Sequence, residues 1–233
     1  MKKTLYILLL FFCLSFSYSQ NYFLENLGPY EDNIQSPEEF LGYEIGYQHT
    51  RHDMIIGYLN YLSTVSKKAV LMNYGKTHEG RKLVFLTIST EKNISNLEEI
   101  QKEHLKYTKG GNINLVSKDL PIIINLGYNV HGNEPSSSEA AMLTAYTLVA
   151  SKNKKIERFR NNSVVFIDPT INPDGRDRHT QWANQYKSIN LVADSNDAEH
   201  NEAWPRGRTN HYWFDLNRDW LLAINPESRG KLK

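Results

Sequence analysis

Cysteine is almost missing from this chain, which has only Cys13. Without a second thiol no disulfide can form within the chain, so the fold must rest on an apolar core or a bound metal. A charge excess of either sign is missing too. Lys and Arg number 27 against 26 Asp and Glu, a formal net charge of +1, and this excludes the broad basic field of a nucleic-acid-binding domain. No apolar run reaches the roughly 20 residues of a membrane-spanning helix. No repeat and no low-complexity tract is present either, which excludes solenoids and fibres. What remains, 40% hydrophobic and 23% charged, suits one globular domain with a real core.

The first 19 residues differ from the rest. Lys2 and Lys3 precede the apolar run Leu5–Leu14, and Ser17-Tyr18-Ser19 puts small residues at the cleavage positions. This pattern predicts a secretory signal peptide over 1–19 and a secreted or periplasmic protein without a membrane anchor. Cys13 lies inside it, and the bulky Phe12 before it argues against lipid attachment. Residues 20–42 read as an N-terminal arm broken by Gly28-Pro29 and Ser36-Pro37, ahead of a domain over 43–233.

Helical spacing of Met54, Ile55, Tyr58, Leu59 and Leu62 predicts a helix between about 37 and 66 with a core-facing stripe. Ala69–Tyr74 and Lys82–Thr90 predict a hairpin, with His78 and Glu79 at its solvated tip. A charged helix follows over 95–107, stopped by Gly110-Gly111. Next come strands at 121–128 and 163–168, with a helix from Ser137 to about Ser151 between them and a polar stretch containing Arg158 and Arg160. Pairing of these strands makes a βαβ unit, in which both C-terminal ends open on one edge of the sheet.

Those two ends carry the chemistry. The first strand runs into Tyr128-Asn129-Val130-His131-Gly132-Asn133-Glu134-Pro135-Ser136, with Ser136 and Glu139 spaced as a capping box. An imidazole and a carboxylate three residues apart on a tight turn can reach one metal ion, and Gly132 allows the bend. The second strand runs into Asp168-Pro169-Thr170-Ile171-Asn172-Pro173-Asp174-Gly175, whose plain reading is a surface turn. The polar and aromatic stretch 180–210 predicts a long loop over the site. Beyond it, Trp204-Pro205-Arg206-Gly207-Arg208-Thr209-Asn210 and Asp215-Leu216-Asn217-Arg218 place arginines among aromatics, a pattern suited to gripping a carboxylate.

His131-x-x-Glu134, Asn172-Pro173-Asp174-Gly175 and Asp215-Leu216-Asn217-Arg218, in this order, resemble the M14-type zinc carboxypeptidases, and the likeness runs from about Tyr43 to the last residue. The resemblance implies an α/β fold: a mixed, mostly parallel sheet with helices on both faces, eight-stranded in that family. It implies Zn2+ as cofactor and a peptide or protein C-terminus as substrate. His131 and Glu134 stand at the first two zinc ligands. Arg208 stands at the arginine that polarises the scissile carbonyl, with Arg206 as its competitor. Asn217 and Arg218 stand at the clamp for the terminal carboxylate. Asp215 stands at the acid that orients the first zinc-ligating histidine. The family's third ligand, a later His, and its general-base Glu have no match, because no His follows His211 and Glu227 lies too close to the motif. The chain is therefore expected to be the N-terminal half to two-thirds of such an enzyme, lacking the later strands and inactive by itself unless His179, His200 or His211 completes the site. Two alternatives remain: a zinc amidohydrolase of the aspartoacylase and desuccinylase kind, and a non-catalytic module that binds peptide C-termini.

Overall fold

The computed structural model describes residues 25–108 and 119–232. The predicted leader, the first residues of the arm and the Gly110-Gly111 stop lie outside the described residues. The predicted helix between 37 and 66 is two helices. The first, α1 (Pro37–Leu41), opens on a capping box between Ser36 and Glu39 and ends at Gly42, whose φ of 76° suits glycine. The second, α2 (His52–Val65), buries Ile55, Tyr58, Leu59 and Leu62 completely, whereas Met54 points outward.

Four strands form one mixed sheet: β1 (Ala69–Lys76), β2 (Lys82–Ile88), β3 (Ile122–Gly127) and β4 (Ser163–Asp168), in the spatial order β1-β2-β4-β3. The β1–β2 and β2–β4 pairs are antiparallel, and among the described residues parallel pairing is confined to β3–β4. Side chains alternate across the sheet. On one face Leu86, Ile88, Val165 and Ile167 meet α2 and the Ala141, Met142, Ala145 and Val149 side of α5 (Ser137–Ala150), and this is the core. On the other, Tyr74 stacks on Phe85 at 4.5 Å and Phe85 meets Phe166 edge-on. There the short C-terminal helix, residues 226–231, places Gly230 against Tyr74 and the Lys231 ammonium near Phe85. Helices thus cover both faces.

Two more helices, α3 (Glu91–Ser95) and α4 (Leu97–Thr108), occupy the charged stretch. The polar segment before β4 is also helical, as α6 (Lys154–Asn162). Its Arg160 is buried and donates to the carbonyls of Leu148 and Ser151, closing the end of α5. The turn expected at Asn172 is instead the start of a helix, α7 (Pro173–Tyr186). Asn172 accepts the Gly175 N–H as N-cap, and Pro173 takes the first helical position, where its missing N–H costs nothing. Only the second part of the expected loop, from 187 on, is irregular. The C-terminal helix is α8 (Pro226–Lys231).

Pairing continues past the parallel strands. The Tyr128 N–H donates to Asp168, the Ile171 N–H to Tyr128 and the Asn172 N–H to Asn129. The two motif-bearing turns are therefore fastened to each other at one edge of the sheet, as the βαβ reading requires.

Candidate active site

Asn129 builds the first turn. It holds φ at 54°, in the left-handed region that Asn tolerates. Its N–H donates to Ser137 Oγ, and its side-chain amide donates to the carbonyls of His131 and Glu134. The predicted capping box does not form. Ser136 makes no side-chain cap bond, and Glu139 turns inward to accept from the Thr50 N–H and from buried Arg176 at 2.5 Å. A fully desolvated guanidinium needs an anion nearby, and Glu139 is the one it finds.

The turn projects His131 between two carboxylates. Nδ1 lies 2.8 Å from Glu134 Oε1 and Nε2 lies 2.9 Å from Asp215 Oδ1. Asp215 also accepts from Arg208 Nη2 at 2.9 Å and from the Asn217 N–H at 3.0 Å. Burial pushes its carboxyl up, but the bonds from His131, Arg208 and the Asn217 amide outweigh that and hold it below the usual range. A neutral imidazole has one proton for these two partners. Placed on Nε2 toward anionic Asp215, it leaves the Nδ1 lone pair facing a Glu134 lone pair, and only a second proton or a cation resolves that contact. The His131–Glu134 pair therefore fits a divalent metal, with Asp215 fixing the ring from behind. Among the described residues no group of three His, Cys, Asp or Glu side chains converges to hold a metal. Three other histidines are engaged elsewhere: His179 with Glu202, His200 with the Val192 carbonyl and His211 with Glu79.

Of the two candidate arginines, Arg208 is the one that reaches Asp215, and it is half-exposed. Arg206 contributes its carbonyl, which accepts from Arg178. Asn217 and Arg218 share a short 3-10 turn (Leu216–Arg218) capped by Asp215, which places them one turn from His131. Their side chains point elsewhere. Asn217 Oδ1 accepts from Trp220 Nε1, and the exposed Arg218 guanidinium folds onto the Asn217 carbonyl. Asn217 and Val130 line a cavity of about 410 Å³ with Gly127, Ile171, Trp220 and Lys231.

Backbone contact closes the site from below. A methyl group at Gly132 would overlap the Gly175 carbonyl carbon and the Arg176 nitrogen and lie 2.5 Å from the Gly207 oxygen. One at Gly207 would lie 2.5 Å from His179 Cβ and 2.6 Å from the Gly175 oxygen. The metal turn, the start of α7 and the arginine loop thus meet through glycines. Glu202 seals this junction, accepting from Asn133 Nδ2 at 2.8 Å, the Gly207 N–H at 2.7 Å and His179 Nδ1 at 2.9 Å. Neither Asn129 nor Glu202 belongs to a motif or a periodic pattern. The turn-prone Asn before a His-Gly pair was the one signal for the former; the latter had none.

The His131–Glu134 turn, the Asn-Pro-Asp-Gly helix start and the Asp-x-Asn-Arg turn meet at one edge of a mixed α/β sheet, and comparison with known proteins says to which family such a chain belongs. Zinc carboxypeptidases, peptidase family M14, match over residues 55–231, so this chain belongs to that family. Carboxypeptidase E of Caenorhabditis elegans is 29% identical over 153 residues, which are 64% of this chain and 25% of that protein. Two solved structures share the fold: a protein assigned as a carboxypeptidase from Burkholderia mallei (TM-score 0.50, 16% identity, 79% of this chain, 35% of that one) and one assigned as a carboxypeptidase A from Shewanella denitrificans (TM-score 0.51, 14% identity, 78% and 35%). The chain thus spans a quarter of the curated relative's length and about a third of each solved structure's.

Proposed function

We propose that these residues form the first part of the active site of an exported zinc metallocarboxypeptidase, which removes C-terminal residues from peptides or proteins. The observation that supports this most directly is Asp215, which bonds His131 on one side and Arg208 on the other. One carboxylate thereby sets the candidate metal ligand against the candidate carbonyl-binding arginine. His131 and Glu134 would hold the ion, and Asp215 keeps the imidazole proton on Nε2. When bound, zinc supplies Lewis acidity toward water and the scissile carbonyl. The half-exposed Arg208 guanidinium has donors left to meet developing negative charge on the carbonyl oxygen. Arg218, released from the Asn217 carbonyl, can take a terminal carboxylate bidentately beside the Asn217 amide, which restricts attack to a chain end. The leader predicted over 1–19 fits an exported enzyme, and no helix among the described residues is long and apolar enough to cross a membrane.

Among the described residues no third ligand joins His131 and Glu134, and the family motifs present supply no general base, so we expect the 233-residue polypeptide to bind zinc weakly and not turn over. Losing general-base help alone typically costs about 10²–10⁴-fold. The test uses the purified 233-residue chain with zinc and measures two things: release of C-terminal amino acids, and affinity for a peptide with a free or an amidated C-terminus. We expect no release and a preference for the free carboxylate that Arg218→Ala removes. Equal affinity for the amide would sink the clamp. Zinc-dependent release that His131→Ala abolishes would mean the site is already complete. Cleavage of N-acyl amino acids instead of peptides would favour the amidohydrolase alternative.

A further inference from the structure

The His131–Glu134 turn and the arginine loop come from distant parts of the chain; their backbones touch at Gly132 and Gly207, and at the side-chain tips Asp215 joins the His131 ring to the Arg208 guanidinium. We propose that Glu202 is the positioning residue that fixes these two segments against each other, so that metal ligands and Arg208 address the same substrate carbonyl; this rests on the reading of the site given above.

The geometry is that of a strut. Asn133 sits between His131 and Glu134, so a bond to its side chain fixes the middle of the metal turn. Gly207 precedes Arg208, so a bond to its N–H fixes the backbone from which that arginine springs. Glu202 takes both, one on each carboxylate oxygen, and its Oε1 accepts His179 Nδ1 as well. His179 stands on α7, the rigid element under both segments, and its Cβ packs on Gly207. The loop is tied from the same helix at other points. Arg178 donates to the carbonyls of Arg206, Thr209 and Asn210, and Asn172 donates to that of Arg208. Those bonds hold the loop to α7; Asp215 joins the tips of the His131 and Arg208 side chains, whereas Glu202 joins the Asn133 side chain to the backbone at Gly207. Burial works against its ionisation, but its three donors prevail and keep it anionic. Charge-assisted bonds of this kind are short and directional, and a misplacement of about 1 Å between groups that act together can cost on the order of 100-fold.

Glu202 touches no reacting atom in this scheme, so its signature is the coupling between the two halves of the site. The experiment measures affinity of the 233-residue chain for a tripeptide with a free carboxylate, without zinc and with saturating zinc, well below the unfolding midpoint. Wild type should gain affinity with zinc. Glu202→Ala should lose that gain by about tenfold, while zinc-free peptide affinity and zinc affinity (by competition with a chromophoric chelator) stay within about twofold. Glu202→Gln should restore the gain, because its oxygen still accepts from Gly207 and His179 and Asn133 can turn its own oxygen to the new amide. Asn133→Ala cuts only the tether to the metal turn and should lose part of the gain; it decides the matter if Glu202→Ala does not fold. Undiminished gain in both Glu202→Ala and Asn133→Ala overturns the proposal, provided Arg208→Ala and His131→Ala abolish it. If those two variants leave the gain intact, or wild type shows none, the reading of the site fails and the proposal falls with it.

Discussion

Gly132, Gly175 and Gly207 leave no room for a methyl group, and this crowding decides how tolerant the site is to change. The atoms in the way are backbone of a helix start and of a well-bonded loop, which cannot move aside without breaking the Asn172 cap or the Arg178 bonds. Gly132→Ala should therefore destabilise the chain by about 3 kcal/mol, the upper part of the usual range for overpacking. Urea unfolding of the two chains checks this, and a difference below about 1 kcal/mol would show that the junction is softer than its distances suggest. At this scale the sequence was readable where chemistry is local. His131 with Glu134 is read from residue type and a three-residue spacing, whereas the Asp215–Arg208 bond was not read from the sequence. The His131 bond to Asp215, 84 residues away, was expected only through the family resemblance, and the reach of Glu202 to Asn133, 69 residues away, is a contact that no window of sequence displays.

The four strands were legible among the elements, since each is an apolar or β-branched run ended by turn residues. Among the helices that the sequence did not show, α6 and α7 were hidden for opposite reasons. In α6 only Ile156 and Phe159 are apolar, too few for a stripe. In α7 the opening Asn-Pro-Asp-Gly carries every mark of a turn, yet the same residues serve as N-cap, first helical position and first-turn acid. The last helix, α8, brings its own electrostatics. Glu227 is fully buried, neither carboxyl oxygen meets a donor in hydrogen-bonding geometry, and burial, with the charges of Asp174 and Asp219 nearby, pushes it up to about 7. Unfolded, it titrates near 4.5. Between these values the folded chain holds a proton that the unfolded chain has released. Stability therefore falls as pH rises through that window, by up to about 3 kcal/mol from this one group. Glu227→Gln should remove that slope, gaining on wild type between pH 5 and 8. A stability difference between the two chains that stays constant over this range would show that Glu227 is ionised in the fold.

Taken whole, the described residues are unevenly buried. One face of the sheet is sealed by α2 and α5, and its core side chains are almost fully buried. The region around α8 is not. Trp220, Leu221, Leu222 and Ile224, just before α8, and Leu232 at its end are all exposed, Leu221 at 93%. Beside them runs β3, which pairs on one side only among the described residues, with Ile122 and Ile123 exposed. An unpaired strand edge with β-branched residues next to an apolar surface invites pairing with another chain, because the ladder offers hydrogen bonds and the surface offers burial. The formal charge of +1 supplies almost no net repulsion against this. We therefore expect the 233-residue polypeptide to bind an apolar fluorescent dye strongly and to associate with rising concentration. Ile123→Lys puts a charge on the open edge without touching the core and should shift the population toward monomer in light scattering after gel filtration. Leu221→Ser should lower dye binding while leaving the edge, and hence most of the association, in place. If Leu221→Ser alone restores the monomer and Ile123→Lys does nothing, the apolar surface rather than the strand edge drives association.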